Sequence, residues 1–568
     1  MIDYSFDILI IGGGAAGLRA SIAAAKHSKN LRIGIISKVY PMRSHTVAAE
    51  GGAAAALRDD DNFDLHALDT IKGSDYLADQ DVVEMFVEEA PKEVIQLDHW
   101  GCPWSRDEDG KLSVRAFGGM SVKRTHLASD KTGFHLLHTL FQTSLQYENI
   151  SRCDEWLVTS LVVENNKIKG VIALELHSGQ LRFVAAKSVI MATGGAGRIF
   201  AVTSNGAINT GSGMALAYRA GAPLKDMEFI QFHPTGLPNI GTLITEGARG
   251  EGGYLVNKDN ERFLSRYIPN KMELGPRDII SRAIITELEQ GRGFGDVKTG
   301  YVHLDLRHLG EELMEERLPF VLELSRTYLA IDPLKEPIPV RPTVHYTMGG
   351  IHTNIDTETP IEGLYACGEA ACVSLNGANR LGSNSLTECL VFGARSGEVS
   401  AIYAESQKDG KQSGDKIAQS QIKSTEDFFK SLENGTESAP MIQRSLRKVM
   451  DENCGVFRKE DSLQEALATI NELKERYTKV KIVDSSRTFN VEILDTLELG
   501  AMLEIAETVV ETAIQRKESR GAHVRRDFPD RDDEKFLSHS LAYFSDKGPK
   551  IEYLPVTLTK WKPQERKY

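Results

Sequence analysis

Six residues near the start of the chain, Gly12-Gly13-Gly14-Ala15-Ala16-Gly17, have the types and spacing to hold a pyrophosphate. They fit G-x-G-x-x-G between an apolar run and an Ala-rich one. Glycines let the backbone approach phosphate oxygens, and a helix start supplies N–H donors within a favourable dipole. A plain NAD site would carry an acidic residue at the end of the second strand, to bind the ribose. Here that end reads Ser37-Lys38. Two distant segments point to FAD instead. Ser188–Met191 leads into Ala192-Thr193-Gly194-Gly195-Ala196-Gly197, and Gly363–Cys367 leads into Gly368-Glu369. Glu369, at a strand end, has the chemistry to hold ribityl hydroxyls. Each segment alone is an ordinary turn, but the three in this order match what an FAD cradle requires.

The elements that would position these groups follow from apolar periodicity. Phe6–Ile11 reads as a buried strand, about Ala15–Lys26 as a helix and Leu31–Ile36 as the next strand, a βαβ unit. Alternating strands and helices continue to about Gly221. The stretch Phe229–Val344 is richer in charge and broken by Gly and Pro, and α/β character returns over Gly349–Ala401. The middle stretch therefore reads as an insertion. Ser406–Glu426 is polar and reads as a linker. Phe428–Arg516 carries helical periodicity, and the tail beyond Arg520 looks irregular. The expected fold is α/β: a Rossmann-like FAD-binding domain (1–228 and 347–404) with an inserted α+β capping domain (229–346). A linker (405–426), a helical domain (427–518) and a small C-terminal domain (519–568) complete it.

Bulk properties bound the alternatives. A chain of 568 residues is long enough for two to four domains. A formal net charge of −13 argues against nucleic acid as a partner. The six cysteines are scattered without a C-x-x-C pair, so neither an iron–sulfur cluster nor a zinc site is expected within the chain. Most of them read as buried free thiols. Met1–Ile11 runs straight into a strand, and no signal peptide is expected. No run is apolar for long enough to span a bilayer, so membrane association is expected only through a partner.

Arg43-Ser44-His45-Thr46-Val47-Ala48-Ala49-Glu50-Gly51-Gly52 resembles the flavin-attachment segment of the flavoprotein subunits of succinate dehydrogenases and fumarate reductases. The resemblance runs from about Phe6 to the C-terminus. It is particularly close to fumarate-reductase-type sequences in Gly118–Met120, Lys131–Phe141 and Val340–Gly350. In that family the histidine is bonded covalently to the flavin, which implies the same for His45. Ring substitution raises the flavin potential and makes succinate oxidation feasible. The resemblance also implies cofactor contacts from Ser37, Lys38, Ser44, Thr46, Gly51, Gly52, Thr193, Gly194 and Ser212. Backbone at Leu157-Val158 is implied at the adenine, and Ser385-Leu386 near the flavin ring.

A four-carbon dicarboxylate needs two anion clamps and a proton donor opposite the flavin. Five further segments look like family motifs: Gln231–Gly236, Thr245–Gly253, Gly275–Asp278, His345–Gly350 and Asn379–Ser385. The resemblance implies that His233, Thr245, His345 and Arg380 hold the carboxylates, Arg380 bidentately. It implies Arg277 as the acid/base group, with Glu246 and Arg249 relaying the proton and His233 in the same catalytic set. Arginine has a very high pKa, so transfer from Arg277 requires Glu246 and a dry pocket. The insertion, closing as a lid, would supply that dryness. Electrons are expected to leave through an iron–sulfur subunit and membrane anchor subunits to a quinone, at the cytoplasmic face of the cell membrane. Two positions depart from the family. Ser212 stands where Asp is usual, and Asn376 where many relatives have His. Glu518–His523 also matches the family and is expected to pack between domains. The rival L-aspartate oxidase lacks the attachment histidine, so His45 discriminates against it. A flavin-binding protein without turnover has no need of a proton donor.

Overall fold

A computed structural model describes residues 4–407 and 414–567. The first strand, β1 (Tyr4–Ile11), is buried from Phe6 onward. It feeds α1 (Ala15–His27), of which ten residues are buried, so α1 is a core helix. After β2 (Ile33–Ser37) come α2 (Phe63–Gly73), α3 (Gln80–His99) and α4 (Thr132–Ser144). Next are β3 (Ile150–Asp154), β4 (Trp156–Glu164), β5 (Lys167–Glu175) and β6 (Gln180–Met191), then α5 (Ser212–Arg219) and β7 (Leu224–Lys225). The middle stretch holds β8 (Ile230–Gly236), β9 (Tyr254–Val256), α6 (Arg277–Glu289), β10 (Val302–Asp305), α7 (Pro319–Leu329) and β11 (Ile338–Thr347). It is followed by β12 (Gly350–His352), β13 (Leu364–Ala366), β14 (Ala371–Cys372) and α8 (Asn384–Ser406). The remainder comprises α9 (Asp415–Ser431), α10 (Ala439–Asn453), α11 (Glu460–Tyr477), α12 (Val491–Gln515), β15 (Ser538–Tyr543) and β16 (Lys550–Pro555).

The largest sheet has seven strands, in the order β3-β2-β1-β6-β5-β4, with β13 also on β6. Its parallel pairs share one register: Ile11 faces both Ile36 and Met191, and Met191 faces Ala366. All four strands therefore end at the same edge, and the chain leaves them through Gly12, Ser37, Ala192 and Cys367. This is where an open α/β sheet binds ligands. The glycines at this edge are required by proximity. A Cβ on Gly12, at φ +116°, would lie 2.1 Å from the Ala192 carbonyl oxygen, and one on Gly17 would lie 2.0 Å from the Gly12 oxygen. On α8, Cβ atoms at Gly393 and Gly397 would lie 2.7 and 2.1 Å from the carbonyls of Ala16 and Ala20. Those two glycines let α8 lie directly on α1.

The middle stretch forms a four-stranded antiparallel sheet, β8-β11-β10-β9. It has its own core, with Leu255, Ile280, Ile284, Leu304 and Val340 all buried. Its strand β11 meets the loop that follows β6, where Thr203 bridges Val344 and Ala196 N donates to Thr347 Oγ1 at 3.2 Å. Helices α10, α11 and α12 pack together around Ile442, Leu446, Ile470 and Met502.

Two expectations need correction. Part of the expected linker, 408–413, lies outside the described residues. From Asp415 the same stretch is helix α9. Its polar composition hides an apolar stripe: Ile417, Ala418 and Ile422 pack against Val162, Ile172 and Phe183. The tail expected to be irregular contains the hairpin β15–β16. Here β15 pairs antiparallel with β7, Leu224 facing Ala542, in a second, five-stranded sheet. A buried ion cluster fastens this tail. His539 Nδ1 lies 2.6 Å from Asp226 and Nε2 lies 3.2 Å from Asp79. Arg516 and Arg520 both donate to Glu518, at 2.9 and 2.8 Å, which places the Glu518–His523 segment in packing.

Candidate functional site

A cavity of about 830 Å³ opens at the carboxyl edge of the large sheet and continues under the four-stranded sheet. It is at the upper end of the usual ligand range, about 300–1,000 Å³. The glycine turn (Gly12–Ala16), Ser37, Lys38, Ser44, His45, Thr46, Gly51 and Gly52 line it. So do Leu157, Val158, Thr193, Gly194, Ser212, Glu369, Ser385 and Leu386. Gly17 does not. It serves the strand–helix contact described above. At the far end the lining is His233, Thr245, Glu246, Arg277, His345 and Arg380. Arg249 stands behind them, with Nη2 3.7 Å from Glu246 Oε2.

The sheet end has the chemistry of a dinucleotide cradle. Thr46 Oγ1 accepts from Ala15 N at 3.1 Å, which draws the His45 segment onto the start of α1. The hydroxyls of Ser44 and Thr193 are buried without a protein partner, ready for a polar ligand. Lys38 is ion-paired with Glu498 of α12, which also accepts from Thr210 Oγ1 at 3.0 Å. Glu369 accepts from Thr347 N at 3.0 Å, and burial pushes its carboxyl up to about 7. His45 Nδ1 accepts from Gly206 N at 3.3 Å, leaving Nε2 available. Burial, then the Arg198 guanidinium, pushes the ring down to about 4, so it is a neutral imidazole. These residues fit an FAD.

The far end is built on two adjacent strands. His233 on β8 and His345 on β11 are brought together by pairing of Phe232 with Val344, and their ring centroids lie 5.0 Å apart. Burial first, then Arg277 and neighbouring charges, push both rings well below the usual histidine range. Both are therefore neutral donors. His233 Nδ1 accepts from Thr235 N at 3.3 Å, and its buried Nε2 has no protein partner. Arg277 opens α6, donating from Nε to Glu246 Oε2 at 2.7 Å and from Nη1 to Gln231 Oε1 at 3.0 Å. Glu246 also accepts from Gly118 N at 2.6 Å. Burial opposes its charge, but Arg277 and Arg249 hold the carboxyl below its usual range. Arg380 lies 4.3 Å over the Tyr346 ring, and burial, then Arg277, pushes it down to about 10. The result is a pocket of largely buried side chains with two fixed cations, two neutral N–H donors and one paired carboxylate. Such a pocket suits a small dianion.

Several contributors were not anticipated. Gln231 accepts from Arg277 and donates to Asn379 Oδ1 at 3.0 Å and Arg380 O at 2.8 Å, so one side chain ties together both arginine segments. Its signal was a glutamine two residues before His233 on the same strand. Ser204 and Asn205 hold His345, and nothing local in the sequence announces that contact. The departures are accommodated differently. Ser212 lines the cavity, whereas Asn376 bonds the buried Glu388 carboxylate at 2.9 Å, away from the lining.

Two family models match the chain: an FAD binding domain over residues 7–386 and a fumarate reductase flavoprotein C-terminal domain over residues 443–568. The chain is 52% identical to the fumarate reductase flavoprotein subunit of Mycobacterium tuberculosis, covering 99% of each. It is 44% identical to the succinate dehydrogenase flavoprotein subunit of Coxiella burnetii, over 97% of this chain and 96% of that one. A solved structure of a variant quinol fumarate reductase from E. coli matches with TM-score 0.97 and 48% identity, covering 100% of this chain and 99% of that one.

Proposed function

The chain belongs to the fumarate reductase and succinate dehydrogenase flavoprotein family, and on that premise we propose how its cavity interconverts succinate and fumarate. The observation that carries the reading is the convergence of His233, His345, Arg380 and the Arg277–Glu246 pair at one end of the FAD cavity. When bound, FAD supplies two-electron chemistry, accepting a hydride from a middle carbon of succinate or returning one to fumarate. The glycine turn and the Thr46-tethered His45 segment would hold it, and Glu369 and Lys38, which line the same cavity, would bond its hydroxyls.

Arg380 and the two neutral imidazoles clamp the carboxylates, joined by the Thr245 hydroxyl, which accepts from Gly247 N at 3.2 Å. Two of the three guanidinium nitrogens of Arg277 are engaged by Glu246 and Gln231. The third, Nη2, moves the proton to or from the substrate carbon. Glu246 Oε2 draws that proton onward to Arg249, 3.7 Å away and itself buried. The four-stranded sheet excludes water, which strengthens each of these contacts.

The finer assignments belong to the same proposal. His45 would carry the flavin covalently, and its Nε2 is the ring nitrogen that the Gly206 N–H leaves available. The proposed division is an FAD-binding domain (1–228 and 347–404), a capping domain (229–346), a helical domain (427–518) and a C-terminal domain (519–568), with α9 packed on the large sheet. Electrons pass to an iron–sulfur subunit held by membrane anchor subunits at the cytoplasmic face. Among the described residues no helix is long and apolar enough to cross a membrane. The test is anaerobic addition of succinate to the FAD-loaded chain, following oxidised flavin absorbance, with L-aspartate as control. Bleaching by succinate alone supports the reading. Bleaching by aspartate, or by neither, refutes it.

A further inference from the structure

The two substrate-facing histidines are held by different means. His233 has its Nδ1 fixed by a backbone donor, Thr235 N. The neighbouring Thr235 hydroxyl, 3.3 Å from the same nitrogen, is occupied in donating to Ile244 O at 2.7 Å. His345 has no such backbone donor among the hydrogen bonds of its ring. Its Nδ1 faces the hydroxyl of Ser204 at 2.8 Å.

The direction of that bond follows from its surroundings. Ser204 Oγ also lies 3.3 Å from Val344 O, the other acceptor in reach. That carbonyl already accepts from Ser204 N at 2.9 Å and from Thr203 Oγ1 at 3.0 Å. The shorter contact and the unsatisfied partner are both on the ring, so the hydroxyl proton goes to Nδ1. A neutral imidazole that accepts at Nδ1 carries its proton at Nε2. The opposite tautomer would aim a bare lone pair at an incoming carboxylate.

The loop is built to keep Ser204 there. Thr203 bridges Val344 on β11. The Asp451 carboxylate of α10 accepts from Ala201 N and Val202 N, both at 3.2 Å. Asn205 Nδ2 donates to His345 O at 2.7 Å. Two residues after Ser204, Gly206 N donates to His45. One short loop therefore fixes both the histidine assigned to the flavin and a histidine assigned to the substrate.

We propose that Ser204 is a positioning residue that fixes His345 in its Nε2–H tautomer, so that the ring donates to the dicarboxylate. The inference rests on the dicarboxylate reading of the cavity. Its test uses malonate, a dicarboxylate that cannot be dehydrogenated across its single middle carbon, titrated against the FAD-loaded full chain by flavin absorbance. Ser204→Ala is expected to raise the malonate Kd about fivefold, the value of one neutral hydrogen bond. Ser204→Thr, which keeps the hydroxyl, is expected to bind within about twofold of wild type. Flavin content per chain reports folding. If Ser204→Ala does not load FAD, Ser204→Cys, with its weak donor, takes its place and is expected between wild type and a full loss. Unchanged malonate affinity in the Ala or Cys variant, or Thr as weak as Ala, overturns the inference. Failure of wild type to bind malonate overturns the dicarboxylate reading first, and this inference with it.

Discussion

Replacing Arg277 with lysine separates proton delivery from charge. The substitution keeps one positive charge beside Glu246, whose carboxylate is held below its usual range chiefly by Arg277 and Arg249 against burial. It removes the fork. The guanidinium reaches Glu246 through Nε and Gln231 through Nη1 while a third nitrogen remains. A single ammonium cannot serve all three directions. The group lost is the proposed proton donor, and general acid–base catalysis contributes about 10²–10⁴ in rate. That range corresponds to about 3 to 5 kcal/mol of barrier. His233, Thr245, His345 and Arg380 are untouched, so KM and malonate affinity should change by less than about tenfold. The assay is steady-state fumarate reduction by a viologen donor, paired with single-turnover bleaching by succinate and a malonate titration. A kcat within tenfold of wild type would remove Arg277 from the proton path. So would a loss confined to binding.

His45→Ser should retain FAD through the glycine turn but release it on acid denaturation, whereas the flavin of the wild type is expected to stay with the chain on a denaturing gel. Succinate oxidation should fall more than fumarate reduction, because a fall of about 30 mV in a two-electron potential shifts the balance tenfold toward fumarate reduction. Equal loss in both directions would contradict this. Stability against pH should report on His539. Burial opposes its charge, but Asp226 and Asp79 outweigh burial and push it up to about 9. A raised histidine stabilises fully below its unfolded value, about 6.5, and loses that contribution as pH rises through the folded value. The melting temperature should therefore fall between about pH 6.5 and pH 9. His539→Gln should cost about 3 kcal/mol at neutral pH and flatten that slope. A variant with the wild-type slope would show that another group titrates there.

The nucleotide half of the site was legible because its signals are local. Gly12–Gly17, Ser37-Lys38 and Glu369 each sit at a strand end, and parallel register brings strand ends to one edge. The substrate half was not legible in that way. His233, Thr245, Arg277, His345 and Arg380 come from five separate segments, and no spacing links them. Resemblance named them, and the structure supplies the contacts between them. Gln231, Ser204 and Glu498 escaped because each acts through a partner more than 40 residues away. Helix α9 was missed because three apolar residues suffice to dock it where the sheet surface is already apolar. Hairpin β15–β16 was missed because β16 is largely exposed and carries little apolar alternation. Its partner β15 is buried through polar groups that ion pairs satisfy.

The direct seating of α8 on α1 through Gly393 and Gly397 has a consequence for how the protein is made. Helix α1 leaves the ribosome long before its covering helix, which begins at Asn384. At about 5–20 residues per second, the phosphate-binding helix spends about 20 to 70 s exposed before its lid is synthesised. During that interval an alanine-rich apolar surface and a half-built cradle face solvent together. Cofactor capture in this chain is therefore a late event of biogenesis.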